Sequence, residues 1–450
     1  MKKPVMLLLL LLILLLPTMA VAATVLPVCV TPGDAESADS PYAIKLWQTS
    51  SKKTYLFLPS DWDTSSLRIW YTEGDALTVD GSTVASGSQV SCLTPGASVK
   101  LKYGKKSCTV QVSQSANIAT AYLTTESGSM TYIHTSKLNR ETGTILLTDA
   151  NGEVLCDQDL TQIKCRGNTS FRKSPKKSYQ IKLTNSQNLF GFGKSKTWLL
   201  ITGYRDRSFL RNVIAADIAS YVGLAYTPSY TFCSVYANGE YCGLYLLTEK
   251  VQISSSRVDI DDLEKATEAV NDQPLSSYKQ LGSTTAKAGK GKYYAIPNNP
   301  DDITGGYLIR LEALKHYKEL NSTFVTSRAF QCQIVSPDYV SEAQYDYITA
   351  ILQSFENAIM ASDGIDPDTG KHYSELCDVE SFVLKYTLEE TVKSYDANHN
   401  SQYLYKPADS QSTLLYAGPA WDYDTSWGSY ASAGKTWTNE SRMAAWFAVK

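Results

Sequence analysis

The sequence predicts an α+β protein in which a small all-β module precedes a larger part that mixes strands with long helices. Three observations predict it. Between about 41 and 115, short apolar stretches recur with turn residues between them. From about 118 strands continue, but helix-period runs appear at 208–222, 341–361 and 378–395. The 450 residues also exceed one ordinary hydrophobic core, so two domains are the natural division.

The amino terminus sets the expected compartment. Met1-Lys2-Lys3 is positive, 7–16 is an unbroken run of Leu and Ile, and Ala20-Val21-Ala22 is a small-x-small triplet. Together they read as a signal peptide over 1–22, followed by a linker over 23–40. A membrane anchor is the competing reading, but the run is short and Pro17 interrupts it. A lipoprotein cysteine at Cys29 is disfavoured by the bulk of Val28 and by its late position. The expected address is secreted or cell-surface, with no stable transmembrane span after cleavage. Net charge is −3, so no basic footprint for nucleic acid is present. Nine cysteines in an exported chain can form disulfides, and Cys92/Cys108 and Cys233/Cys242 flank likely strand pairs. The odd number leaves at least one unpaired within the chain, and no CxxC pair favours zinc. The 30 Tyr and 8 Trp pack cores in the ordinary reading, and in the other they meet cell-wall or extracellular polysaccharide.

Within 41–115 the strands are 55–58, the alternating 67–71, a hairpin over 79–84 turned at Asp80-Gly81, and a second hairpin of 99–103 and 108–112 turned at Gly104. This spacing predicts a β-sandwich-like module without a catalytic constellation. The larger part, 118–450, opens with strands at 121–124, 144–148 and 162–165. The 208–222 helix places Leu210, Val213, Ile214, Ile218 and Val222 on one face, with Ser208 as N-cap and Gly223 as stop. A hairpin follows across Asn238-Gly239. Residues 273–300, rich in Ser, Gly, Lys and Asn, read as a long exposed loop or lid. After the last two helices, 402–427 is strand–turn–strand, and 443–447 begins an amphipathic helical pattern that the chain end cuts short.

Five segments carry a family resemblance. They are Lys164-Cys165-Arg166-Gly167-Asn168-Thr169-Ser170 with the following 175–183; Trp198-Leu199-Leu200 with 206–212; Asn238 through Val251; Gly305-Gly306-Tyr307-Leu308; and 396–406 leading to Gly418-Pro419-Ala420-Trp421-Asp422-Tyr423-Asp424. In this order they resemble the spore-coat-H (CotH) family of atypical protein kinases. The resemblance implies a kinase-like bilobal domain over 118–450, ATP with Mg²⁺ or Mn²⁺, and transfer of the γ-phosphoryl group to Ser or Thr of a secreted or surface protein. A catalytically degenerate surface or cell-wall-associated binding protein is the alternative, because ATP is scarce outside a cell.

Phosphoryl transfer needs a cation near the phosphates, carboxylates for the metal, a carboxylate for the attacking hydroxyl and a backbone loop close to the nucleotide. Gly167 lets the backbone approach, and Arg166 and Asn168 flank it. Lys177 and Lys182 are alternative phosphate-holding lysines. Glu249, at a hairpin end, meets the nucleotide or a lysine, or else forms a salt bridge at the core edge. Asp396 follows a helix and opens an irregular Asp-Ala-Asn-His-Asn stretch, as a hydroxyl-positioning carboxylate does. The metal-assisting amide falls at Asn400, four residues on, where the general kinase pattern has five; Ser401 holds the fifth place. His399 reads as structural. Asp422 and Asp424 straddle Tyr423, and an extended chain would put both carboxylates on one face. A glycosidase would need its acids on separate facing loops, which Asp422 and Asp424 are too close in sequence to be.

Overall fold

The computed structural model describes residues 25–428, except 73, 284–286, 318, 398–399 and the side chain of His316. The expected signal peptide, His399 and the 443–447 helical pattern lie outside the described residues. The chain divides into two compact units.

The first unit comprises Met1–Gly128, Thr144–Asp157 and Ser234–Gly243. Its strands are β1 (Val28–Thr31), β2 (Ile44–Lys45), β3 (Trp47–Gln48), β4 (Thr54–Leu58), β5 (Leu67–Tyr71), β6 (Leu77–Val79), β7 (Ser82–Val84), β8 (Ser88–Val90), β9 (Ser98–Tyr103) and β10 (Lys106–Gln114). They form a four-stranded sheet, β2-β1-β5-β8, and a six-stranded sheet, β3-β4-β10-β9-β6-β7. Alternation explains the packing: β4 buries Thr54, Leu56 and Leu58 and turns Tyr55 and Phe57 the other way. Leu67 and Ile69 of one sheet share a single buried cluster with Leu56, Leu101 and Val110 of the other. Residues 28–31 correct the linker expectation: β1 is an inner strand, paired with both β2 and β5. Four residues rich in β-branched side chains, set between Pro27 and Pro32, are too short to show a period in sequence.

Seven further strands are β11 (Ala119–Thr125), β12 (Glu141–Thr148), β13 (Val154–Arg166), β14 (Ser178–Asn188), β15 (Lys194–Ile201), β16 (Tyr230–Ala237) and β17 (Glu240–Glu249). Of these, β13, β14, β15 and β17 pair in that order, each antiparallel to the next. The Asn238-Gly239 turn between β16 and β17 has both residues at positive φ, 51° and 79°, as a two-residue hairpin turn demands.

The second unit comprises Ser129–Gly143, Gln158–Cys233 and Leu244–Lys450. Its described helices are α1 (Thr131–Thr135), α2 (Thr169–Lys173), α3 (Arg211–Tyr221), α4 (Leu263–Ala269), α5 (Glu342–Met360) and α6 (Val379–Val392). A sheet of β18 (Gln280–Gly282), β19 (Gly291–Tyr294), β20 (Tyr307–Leu311), β21 (Ser322–Val325), β22 (Gln331–Ser336), β23 (Gln402–Lys406) and β24 (Tyr416–Ala417) runs in the order β18-β19-β21-β22-β20-β23-β24. Ile348, Leu352 and Phe355 of α5 and Phe382 of α6 pack with Ile309, Ile334 and Leu404 of this sheet. Ser341 and Gln344 close a reciprocal capping box at the start of α5, and Asp378 caps α6 by accepting from Ser381 N at 2.8 Å. The 208–222 helix begins later than expected, at Arg211. Asp206, not Ser208, accepts from its first N–H, at 2.8 Å.

The loop expectation for 273–300 is also corrected. β18 and β19 pair there, and Leu275, Tyr294 and Ile296 form a small buried cluster. Ser, Gly and Lys between the strands hide two runs of only three and four residues. Cys29, Cys92, Cys108, Cys156, Cys165, Cys332 and Cys377 are thiols outside any disulfide, so the Cys92–Cys108 bridge is not formed. The whole is mixed α+β, mostly sheet. Among the described residues no helix is long and apolar enough to cross a membrane.

Candidate active site

Two chain segments bring acids together in the second unit. The first begins where α6 stops. Lys393 takes a left-handed turn, φ 53°, while its N–H still bonds helix carbonyls, and Ser394 N donates back to Glu389 O at 3.1 Å. The chain swings away into the loop that carries Asp396. Asn400 N donates to Asp396 O at 3.1 Å, and the Asn400 side chain also bonds the Asp396 carboxylate. The second segment follows β24. Asp422 has φ 68°, a left-handed conformation that Asp and Asn tolerate better than other side-chain-bearing residues. Tyr423 N donates to Asn212 Oδ1 at 2.7 Å, which fixes this bend against α3.

Asp396 and Asp424 are both buried beside Asp422. Burial pushes the Asp396 carboxyl above its ordinary range and the nearby Asp422 charge pushes it further, against hydrogen bonds from Thr425 (3.2 Å) and Asn400. Asp424 is pushed well above the ordinary range by burial, then by Asp422 and Asp396. Arg205 is a cation that opposes both shifts. Ser401 Oγ donates to Asp422 Oδ2 at 2.8 Å. Glu312, just past β20, is 4 % exposed, and its carboxyl is raised by burial, with Asp422 and Asp396 adding to the shift and Arg310 opposing it.

A cavity of about 830 Å³ opens beside this cluster, with Trp421, the neighbour of Asp422, in its wall. One part is apolar: Leu199, Val251, Ile253, Val335, Tyr403 and Trp421 line it. Another is charged: Lys137, Arg140, Lys164, Arg166, Lys250 and Arg310 line it together with the acids Asp262, Glu264, Glu268, Glu319 and Asp338. Burial pushes the Lys164 ammonium down, and Lys250 and Arg140 add to the effect. Burial likewise lowers Lys250, opposed by Asp338 and Glu264. Lys164 and Lys250, the two ammonium groups that burial disfavours, would be favoured by an anionic ligand.

The expected site residues divide into two sets. Arg166 and Gly167 line the cavity, with Gly167 at φ 88° in the turn between β13 and α2 and the Arg166 guanidinium 5.7 Å over the Trp421 ring. Asn168 lies at the same turn and accepts from Lys137 Nζ at 3.1 Å. Asp396, Asn400, Asp422 and Asp424 gather as described. Lys177, Lys182 and Glu249 do not line the cavity. Lys177 Nζ donates to Phe171 O and Ser174 O at 2.6 and 2.7 Å, satisfying carbonyls at the end of α2. Lys182 is exposed further along β14. Glu249 takes its core-edge alternative: it pairs with Arg257 at 2.5 Å and accepts from Ser229 N at 2.6 Å.

Lys164, Lys250 and Glu312 were missed in sequence. A signal for Lys164 was present, because it opens the first of the five motif segments; in the structure it faces Gln180 across β13 and β14, and Gln180 lines the cavity too. Extended alternation does not describe the Asp422–Asp424 segment, since Asp422 is left-handed. The two carboxylates still lie within mutual influence because Tyr423 is turned into the interior.

The CotH kinase protein family model matches residues 163–449. The chain belongs to that family. No curated protein matches this CotH-family sequence. A solved Bacteroides thetaiotaomicron structure, provisionally assigned as a glycoside hydrolase, is similar over 68 % of this chain and 82 % of its own, at 14 % identity and a TM-score of 0.13. A score that low carries no argument about fold or chemistry.

Among the described residues no three His, Cys, Asp or Glu side chains converge closely enough to complete a metal shell by themselves. The donor chemistry nonetheless fits Mg²⁺ or Mn²⁺, which commonly take one or two carboxylates and complete their shell with phosphate oxygens and water. The upward push that burial and the Asp422 charge exert on both Asp396 and Asp424 is the observation behind that fit: a divalent cation would relieve it.

Proposed function

We propose that this chain is an exported phosphotransferase that moves the ATP γ-phosphoryl group to a Ser or Thr hydroxyl of a secreted or surface protein. The observation that carries the reading is the meeting of Asp396 and Asp422, 26 positions apart in the numbering, beside a cavity with one apolar part and one charged part that holds Lys164, Arg166 and Lys250. In this reading the strands β13, β14, β15 and β17 act as one lobe and the helical part with β20, β22 and β23 as the other.

The base stacks in the apolar part, among Leu199, Val251 and Tyr403. Lys164, Lys250 and Arg166 hold the phosphates. Asp422 holds the metal, with Asp424 and Asn400 beside it. When bound, the metal supplies charge neutralisation on the transferring phosphoryl group. Asp396 accepts a hydrogen bond from the substrate hydroxyl, orients it and takes its proton. For that it must be ionised. Its hydrogen bonds from Asn400 and Thr425 favour the charged form, while burial and Asp422 oppose it.

Calorimetric titration of the chain with Mg²⁺ and a non-hydrolysable ATP analogue tests the reading. Wild type is expected to bind and Asp422→Asn to lose metal-dependent binding. Asn keeps the left-handed backbone, so the variant removes charge without adding strain. Absence of binding by wild type would sink the reading.

A further inference from the structure

Tyr423 sits between Asp422 and Asp424, yet its ring is 2 % exposed and turned into the second unit's interior. Its hydroxyl donates to Glu389 Oε1 at 2.8 Å and accepts from Lys385 Nζ at 3.1 Å. Lys385 and Glu389 form an ion pair one turn apart on α6, both side chains 0 % exposed. The same ammonium donates to Gln402 Oε1 at 2.7 Å, and Gln402 Nε2 donates to the Asn400 carbonyl at 3.3 Å. One buried cation is therefore bonded toward both acid-bearing segments. It reaches the Asp422–Asp424 bend through Tyr423 and the end of the Asp396 loop through Gln402.

Stability alone does not account for this arrangement. Removing an ammonium and a carboxylate from water is costly, and a well-packed apolar set of similar volume is often as stable or more so. The surroundings are already apolar: Ala215, Leu388, Val392 and Ala420 pack against Tyr423. What apolar groups do not supply is direction. Hydrogen bonds of fixed length from one ammonium to two segments set their separation, whereas apolar packing permits small shifts.

We propose that Lys385, Glu389 and Tyr423 are positioning residues, a buried strut that fixes the distance between the Asp396 and Asp422 segments. The strut thereby sets the affinity for the metal–nucleotide ligand. The inference rests on the phosphotransferase reading. It differs from a purely structural role in one consequence: the strut can be replaced without loss of stability but not without loss of metal affinity.

The test measures Mn²⁺ affinity by electron paramagnetic resonance, with manganese alone and with ADP, alongside the thermal midpoint. Tyr423→Phe removes one hydroxyl and leaves the ion pair. The triple variant K385M/E389L/Y423F replaces the strut with apolar groups. The triple variant is expected to melt at or above wild type and Tyr423→Phe within a few degrees of it. Both are expected to bind Mn²⁺–ADP roughly tenfold more weakly or worse, the scale of other outer-shell losses. Wild-type affinity in folded variants overturns the inference and leaves the phosphotransferase reading standing. If the triple variant does not fold, Tyr423→Phe decides alone. Wild type that binds neither manganese nor ADP overturns the phosphotransferase reading and the strut with it.

Discussion

The two units differ in what they bury. In the first, every buried polar side chain among the described residues is a hydroxyl: Thr31, Thr54, Thr120, Thr125, Thr148 and Ser234. Among its described residues the second buries nine charged side chains, Asp206, Glu249, Arg257, Glu312, Glu356, Asp366, Lys385, Glu389 and Lys406. A hydroxyl is satisfied by one nearby carbonyl, while a buried charge needs a built environment. The contrast accords with a site proposed in the second unit. Among its described residues the first unit is held by apolar packing. In the second, Glu312 lies within electrostatic reach of Asp396 and Asp422, and Lys385 bonds toward the segments that carry them, while Glu356, Asp366 and Lys406 are held by nearby polar partners.

The largest effect that would break this comparison is on transfer. Asp396→Asn is expected to lower phosphoryl transfer by about 10²- to 10⁴-fold with little change in thermal midpoint, measured by single-turnover kinetics. In the first unit, Leu56→Ala should cost about 2–5 kcal/mol in denaturant unfolding. Its folded molecules should bind nucleotide as wild type does; loss of binding there would erase the distinction between the units. Glu389→Ala, which strands the Lys385 ammonium, should cost about 3–5 kcal/mol.

A pH-dependent metal effect comes next. Asp396 and Asp424 have carboxyls raised above their ordinary range. A raised carboxyl contributes stability that is fully present below the ordinary carboxylate pKa and is lost as pH rises through the raised value. The metal-free chain should therefore lose stability from this pair as pH rises. Mg²⁺, which binds the ionised forms, should raise the thermal midpoint more at about pH 8 than at about pH 5. At a concentration about a hundred times its dissociation constant, the gain is about 2.7 kcal/mol. An equal shift at both pH values would contradict the assignment of the metal to these acids. Lys164→Ala should weaken nucleotide binding about tenfold, because it removes a charged hydrogen-bond donor. The smallest effect belongs to the partly exposed Lys137–Glu319 pair, 2.5 Å apart, where Lys137→Ala should change stability by less than about 1 kcal/mol.

Features governed by local rules were legible in sequence. The Asn238-Gly239 hairpin, the start of α5 at Ser341 and the end of α6 before Asp396 all follow from caps and turns. The order Asp396 then Asp422 was legible too, through the family motif. Features that depend on how far a wall extends were not. Alternation puts Lys182 on the same face of β14 as Gln180, but it does not tell where along the strand the cavity ends. Lys164, directly across from Gln180, stands inside it, and Lys182 stands beyond. Lys177 sits in a distinctive motif for a local reason, the carbonyls at the end of α2. The four-residue spacing to Asn400 finds its counterpart in the contacts: Asn400 bonds Asp396, while Ser401 touches Asp422.

Transfer of label from γ-labelled ATP in the presence of Mg²⁺, comparing wild type with Asp396→Asn and Asp422→Asn, tests the central claim most directly. The account predicts protein-bound label, on the chain itself or on a co-secreted protein, with wild type and none above background with either variant. Label that persists undiminished in both variants would contradict it.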